Sequence, residues 1–132
     1  MTFVDTGAWI ALFVEADAHH RAAREWIGSN LDRLVTSDYI VDEVLTLISA
    51  RFRHQTAIRV GHVLFGQRLA GLIQLTDEDK ERAWGIFRSH SDKGWSFTDC
   101  TSFALMQRIG ISNVFAFDRH FSQVRGIRRV PN

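Results

Sequence analysis

The sequence predicts a small doubly wound α/β domain: a central parallel β-sheet flanked by helices in three layers. Short apolar runs of strand length alternate with longer helix-like segments along the whole chain, and strands separated by helices pair in parallel through right-handed crossovers. The chain has 132 residues, 45% of them apolar, which suits one domain (residues 1–132) with one core. No repeat, low-complexity tract or proline-rich linker divides it, and its one proline is Pro131.

The elements follow in order. A first strand at about residues 2–5 leads into the apolar stretch Gly7 to Val14. His19 to Ser29 reads as a helix, with Ala22, Ala23, Trp26 and Ile27 on one face. Arg33 to Ser37 is the next strand, and Ser37 or Asp38 is placed to cap a helix running through Ala50. A further helix is expected over Gln55 to Leu69, then a strand over Leu72 to Leu75. Thr76 caps a helix reaching about Arg88, whose first turns carry Asp77, Glu78, Asp79 and Glu81. Those acids favour the helix dipole and read as a capped, solvated terminus. The last helix covers about Thr98 to Ile109 and stops at Gly110, before a strand from Val114 to Phe117.

Composition narrows the function. The net charge is only +1, yet fourteen of the sixteen basic residues are Arg, the side chain suited to bidentate phosphate contacts. A single cysteine, Cys100, excludes an internal disulfide and a sulfur-only metal site, and fits a reducing cytosol. No stretch reaches the roughly eighteen uninterrupted apolar residues of a membrane span. A soluble, cytoplasmic protein with no membrane partner is expected.

Four acids stand apart from the other eleven of the fifteen. Asp5, Asp99 and Asp118 each follow a short apolar run, where a buried strand would surface at the sheet rim. All strands of a parallel sheet end at one rim, where loops and helix N-termini form the ligand crevice, so the three can converge. Glu43 lies on the border of an apolar helix face beside Ile40 and Leu47, whereas Asp42 points to the opposite side. Carboxylates gathered without basic partners repel one another unless a divalent cation compensates them. Oxygen donors suit Mg²⁺ or Mn²⁺ better than zinc. The pattern points to metal-dependent phosphodiester chemistry.

Each acid has a plainer role when taken alone: a helix cap for Asp5, a first-turn acid for Asp99, a turn residue for Asp118, a half-exposed helix acid for Glu43. Asp17, Asp32 and Asp92 read as loop acids and Asp38 as a cap. His19, His20, His54, His62, His90 and His120 show no metal-site spacing and are assigned surface or structural roles. Trp9, Trp26, Trp84 and Trp95 are assigned to core or interface. Arg51-Phe52-Arg53-His54 joins charge to an aromatic, as single-strand RNA clamps do, although a solvated helix end is the simpler reading. The same plain reading applies to Arg125, Arg128 and Arg129 near the end of the chain.

Four blocks together resemble the PIN-domain ribonucleases, in particular the VapC toxins of prokaryotic toxin-antitoxin pairs. They are Val4-Asp5-Thr6, Thr36 through Leu47 with Glu43 inside it, Ser96 through Ala104 with Asp99 inside it, and Phe117-Asp118-Arg119-His120-Phe121. The resemblance implies a PIN-like, Rossmann-like fold and a catalytic, metal-binding quartet of Asp5, Glu43, Asp99 and Asp118. Gly7 departs from the Ser or Asn often found there, without removing a ligand. The implied activity is metal-dependent endoribonuclease cleavage with Mg²⁺ or Mn²⁺. The implied partners are an RNA substrate, a second copy of the chain in a homodimer, and a cognate VapB-type antitoxin that occludes the acidic crevice.

Beside that quartet, Thr6, Thr98 and Ser102 are candidate supporting hydroxyls, and Arg119 is the residue best placed to meet a phosphate. Two alternatives stay open: a catalytically inactive scaffold that only binds RNA or protein, and a Mg²⁺-dependent phosphatase or receiver-like domain with Asp5 as nucleophile. The second lacks support, because neither Lys80 nor Lys93 falls at a rim position.

Overall fold

A computed structural model describes all residues from Met1 to Asn132. Its elements, in chain order, are β1 (Thr2–Val4), α1 (Thr6–Phe13), α2 (His20–Ser29), β2 (Leu34–Ser37), α3 (Asp38–Arg51), α4 (His54–Phe65), β3 (Gly71–Ile73), α5 (Asp77–Ser89), α6 (Phe97–Ile109), β4 (Asn113–Phe115), a 3₁₀ turn (Arg119–Gln123) and β5 (Arg128–Val130). The five strands form one all-parallel sheet in the order β3-β2-β1-β4-β5, flanked by the six helices as the α/β alternation predicts. From β1 the chain steps outward through β2 to β3, then crosses back to β4 and β5. That reversal puts the topological switch point between β1 and β4, where open α/β sheets bind ligands.

The central strands are buried throughout, which their continuous apolar sequences require. Trp9, Phe3, Phe115 and Phe121 are the largest fully buried side chains, and Phe13 and Trp26 lie against the same core. Trp9 donates its indole N–H to Thr36 Oγ1 at 3.2 Å, and that hydroxyl donates to the Val4 carbonyl at 3.0 Å. The largest buried aromatic is thereby tied to the strand end that carries Asp5.

Several local expectations require correction. Asp99 does not follow a strand: residues 94–96 form the approach to α6, and Asp99 sits in that helix's first turn. Asp38 does not cap its own helix. Ser37 does, accepting from the Ile40 amide, while Asp38 Oδ1 accepts the Leu75 N–H at 3.0 Å and ties α3 to the end of β3. The acid run at the start of α5 is not wholly solvated, since Asp79 is 1% exposed and held by Arg108 Nε of α6 at 2.8 Å. Helix α4 ends at Phe65 rather than Leu69, because Gln67 adopts a left-handed conformation (φ 51°). Arg128 and Arg129, expected only as solvated charges, belong to the edge strand β5. Gly110 closes α6 in the left-handed conformation (φ 73°) expected of a glycine C-cap.

Candidate metal centre

The site grows from the switch point. The last residue of β1, Val4, hands the chain to Asp5, whose N–H bonds to the Phe115 carbonyl of β4 at 3.0 Å. Asp5 occupies the N-cap position of α1, yet its side chain makes no capping hydrogen bond. The carboxylate is left for another partner. It is buried, 4% exposed, and no basic side chain forms an ion pair with it.

Asp99 is delivered by a capping box on α6. Ser96 Oγ accepts the Asp99 N–H, and Asp99 Oδ2 accepts the Ser96 N–H, each at 3.0 Å. This reciprocal pair fixes the carboxylate in one orientation. Asp118 caps the 3₁₀ turn after β4, its Oδ1 accepting the His120 N–H at 2.9 Å. Glu43 projects from the second turn of α3, half-buried, as its place on the border of the apolar face predicts.

These elements enclose a cavity of about 400 Å³ lined by Asp5, Glu43, Asp99 and Asp118 together with Asp17, Thr6, Gly7, Arg51, Phe52, Ser96 and His120. The structure thus brings the quartet into one space. Thr98, Ser102 and Arg119 do not line it. Thr98 is half-buried with its carbonyl taken by Thr101, Ser102 is buried inside α6, and Arg119 faces solvent. Gly7 is accommodated without strain: a Cβ there would lie 4.0 Å from Asp5 Oδ2, in ordinary contact.

His120 is the residue the sequence reading misplaced. Its Nδ1 lies 3.2 Å from Asp99 Oδ2 and 3.3 Å from Asp118 Oδ1, so the ring turns into the acidic cavity. Carboxylate oxygens only accept, which makes Nδ1 the protonated ring nitrogen in this arrangement. The only sequence signal was its position two residues after Asp118. Asp17, read as a loop acid, also reaches the cavity, with Oδ1 accepting the His19 N–H at 2.9 Å.

The electrostatics show how tightly the acids are gathered. Burial first, then the negative charge of Asp99, and further those of Glu43 and Asp118, push Asp5 up to about 8, only partly offset by the Thr6 amide. Next to it, Thr6 Oγ1 is buried with no hydrogen-bond partner. A buried carboxylate short of positive charge and an orphaned hydroxyl beside it are both satisfied by a hydrated cation. The carboxylates are hard oxygen donors, and Asp99, Asp118 and the imidazole nitrogen of His120 bring potential ligand atoms within 4.8 Å of one another. The residues fit a divalent metal ion. No lysine lines the cavity, against the phosphatase or receiver-like alternative.

The parallel sheet with an acidic crevice at its switch point places the chain among metal-binding α/β domains, and residues 2–127 match the PIN domain family model. The chain belongs to that family. It is 35% identical over 125 residues to the 23S rRNA-specific endonuclease VapC20 of Mycobacterium tuberculosis, covering 92% of each chain. It is 30% identical over 128 residues to ribonuclease VapC26 of the same species, covering 94% of this chain and 92% of that one. The crystal structure of M. tuberculosis VapC20, described as a sarcin-ricin loop cleaving toxin, superposes with a TM-score of 0.88 at 32% identity, over 93% of this chain and 94% of that one. No helix here is long and apolar enough to cross a membrane.

Proposed function

We propose that the protein is a divalent-metal-dependent endoribonuclease and the toxin of a type II toxin-antitoxin pair. The observation that carries this reading is the convergence of Asp5, Glu43, Asp99 and Asp118 in one cavity at the switch point of a PIN fold. The likeness to the VapC20 endonuclease and ribonuclease VapC26 supports RNA as the substrate and a VapB-type antitoxin as the partner. The same reading includes a homodimer and a cytoplasmic location.

In this reading Asp5 and Asp99 hold Mg²⁺ or Mn²⁺ most directly, with Asp118 and Glu43 completing the site. The chemistry such an ion supplies when bound is neutralisation of the phosphodiester's charge and acidification of water. The protein's own residues set its place. Asp99 is locked by the Ser96 capping box, and Asp118 by the turn it caps. His120 donates from Nδ1 to Asp99 Oδ2 and lies 3.3 Å from Asp118 Oδ1, and so steadies the two carboxylates relative to one another. Thr6 Oγ1 offers a donor or acceptor beside Asp5.

The test is cleavage of purified cellular RNA by the wild type and by Asp99→Asn, each with Mg²⁺, Mn²⁺ or chelator, followed by sequencing of the new 5′ ends. Discrete cuts that require both metal and Asp99 are expected. A folded, metal-saturated wild type that cuts nothing, or an Asp99→Asn variant that cuts as well, overturns the assignment in favour of a non-catalytic scaffold.

A further inference from the structure

The acidic cavity carries positive charge on one side only, at the end of α3. On α3, Glu43, Leu47 and Arg51 recur every four residues and all three line the cavity, so one helical stripe runs from the acidic floor to the rim. From Glu43 to Arg51, at 1.5 Å rise per residue, is about 12 Å. The Arg51 backbone is therefore about two turns from Glu43. Arg51 is exposed, and none of the chain's ion pairs involves it. It is the only arginine or lysine lining this space.

Phe52 follows at once. It is the C-cap of α3, with φ −128° and ψ −122°, and its N–H is tied to the Ile48 carbonyl. The backbone leaves the helix there, and the ring stays 42% exposed on the same cavity instead of joining the core. An exposed aromatic beside an unpaired guanidinium, at the edge of an acidic, cation-ready floor, matches how single-stranded RNA is gripped. The base stacks on the ring, and the cation meets a phosphate.

We propose that Arg51 and Phe52 form a nucleotide-gripping lip that holds an unpaired residue of the RNA flanking the scissile phosphate, Phe52 stacking on its base and Arg51 contacting its phosphate. The inference rests on the endoribonuclease reading of the same cavity. It adds a substrate requirement, namely that the strand be unpaired and its base splayed where it crosses α3. Duplex RNA keeps its bases stacked inside the helix and cannot meet Phe52 in this way.

The experiment measures binding apart from cleavage. Fluorescence anisotropy with a labelled single-stranded RNA oligonucleotide in chelator, where no metal-dependent turnover occurs, is recorded for the wild type, Phe52→Ala, Phe52→Tyr and Arg51→Ala. Phe52→Ala is expected to lose roughly tenfold in affinity, and Phe52→Tyr to restore it, because any aromatic face supports stacking. Arg51→Ala is expected to weaken binding and to lower the slope of log affinity against log salt by about 1. The duplex form of the same RNA should respond to neither change at Phe52.

Phe52→Ala binding the single strand as tightly as the wild type overturns the proposal. So does a Phe52→Ala effect confined to the protein's oligomeric state by sedimentation, which would make the lip a protein contact. Because binding is read without metal, a wild type that binds RNA through Phe52 but never cuts would sink the catalytic assignment and leave the lip standing.

Discussion

Nδ1 of His120 lies 3.2 Å from Oδ2 of Asp99, across 21 residues of sequence, and so places an imidazole against the acid that the α6 capping box holds rigid. Removing the ring takes away the side-chain donor that sits between the Asp99 and Asp118 carboxylates, leaving each held only by its own cap. His120→Ala is expected to weaken Mn²⁺ binding at least about tenfold by isothermal titration calorimetry, the usual cost of losing a group that orients metal ligands. His120→Asn, which can keep an N–H donor near the same place, should recover part of the loss. Unchanged Mn²⁺ affinity in His120→Ala would show that the imidazole does not hold the ligands.

Asp5 makes the metal-free protein pH-sensitive. Its folded-state pKa is raised to about 8 from 3.8 by burial and by the neighbouring acids, so the folded chain binds the proton more tightly than the unfolded one. The stability this contributes is complete below about pH 4 and is lost as pH rises towards about 8, by up to about 1.4 kcal/mol per pH unit. Thermal melts in chelator should therefore fall between pH 5 and pH 8 in the wild type and stay flatter in Asp5→Asn. Saturating Mn²⁺ should raise the wild-type melting temperature more at pH 8 than at pH 5. Equal slopes for the two chains in chelator would contradict the assignment to Asp5.

The contact between α5 and α6 is fastened by an ion pair of unequal burial. Asp79 is 1% exposed, and Arg108, about one-third exposed, reaches both of its oxygens at 2.8 and 3.1 Å. Burial on its own would raise the Asp79 pKa, but the Arg108 bond and the Thr76 amide and hydroxyl together hold it below the usual carboxylate range. Asp79→Ala leaves the guanidinium without its partner and breaks the Thr76 capping box, so urea denaturation should show a loss of about 3 kcal/mol. Its exposed neighbour Asp77 serves as the control, with Asp77→Ala changing stability by less than about 0.5 kcal/mol.

What the sequence disclosed and what it concealed divide along one physical line. Residues 2–5 and 33–37 were readable as strands because a strand buried on both faces must be apolar along its length, and Thr76 and Ser37 as caps because capping is local. The acid quartet was picked out because carboxylates beside apolar runs lack an obvious partner nearby in sequence. Three of the misreadings involve partners far along the chain. Asp38 meets Leu75 across 37 residues, Asp79 meets Arg108 across 29 and His120 meets Asp99 across 21. Strand β5 was missed for a different reason: an edge strand needs only backbone pairing, and the arginines at 128 and 129 that hid it are typical of an edge blunted by charge.

The floor beneath Asp5 depends on a single hydroxyl. Thr36 Oγ1 accepts the Trp9 indole N–H and donates to the Val4 carbonyl, and Trp9, Val4 and Thr36 are each no more than 1% exposed. Thr36→Val keeps the shape of the side chain but strips both partners of their bonds where no water reaches, and an unsatisfied buried polar group costs about 1–3 kcal/mol. The expected loss in urea denaturation is about 2–4 kcal/mol. Thr36→Ser retains the hydroxyl and gives up only a methyl group, worth about 1 kcal/mol. Trp9→Phe should be the more informative comparison for this bond network, since it leaves the Thr36 to Val4 bond intact and removes the indole donor together with some packing volume. A double mutant of Thr36→Val and Trp9→Phe that loses less than the sum of the two single changes would show that they share one interaction. Full additivity would show that the indole bond contributes nothing and that Thr36 acts on Val4 alone.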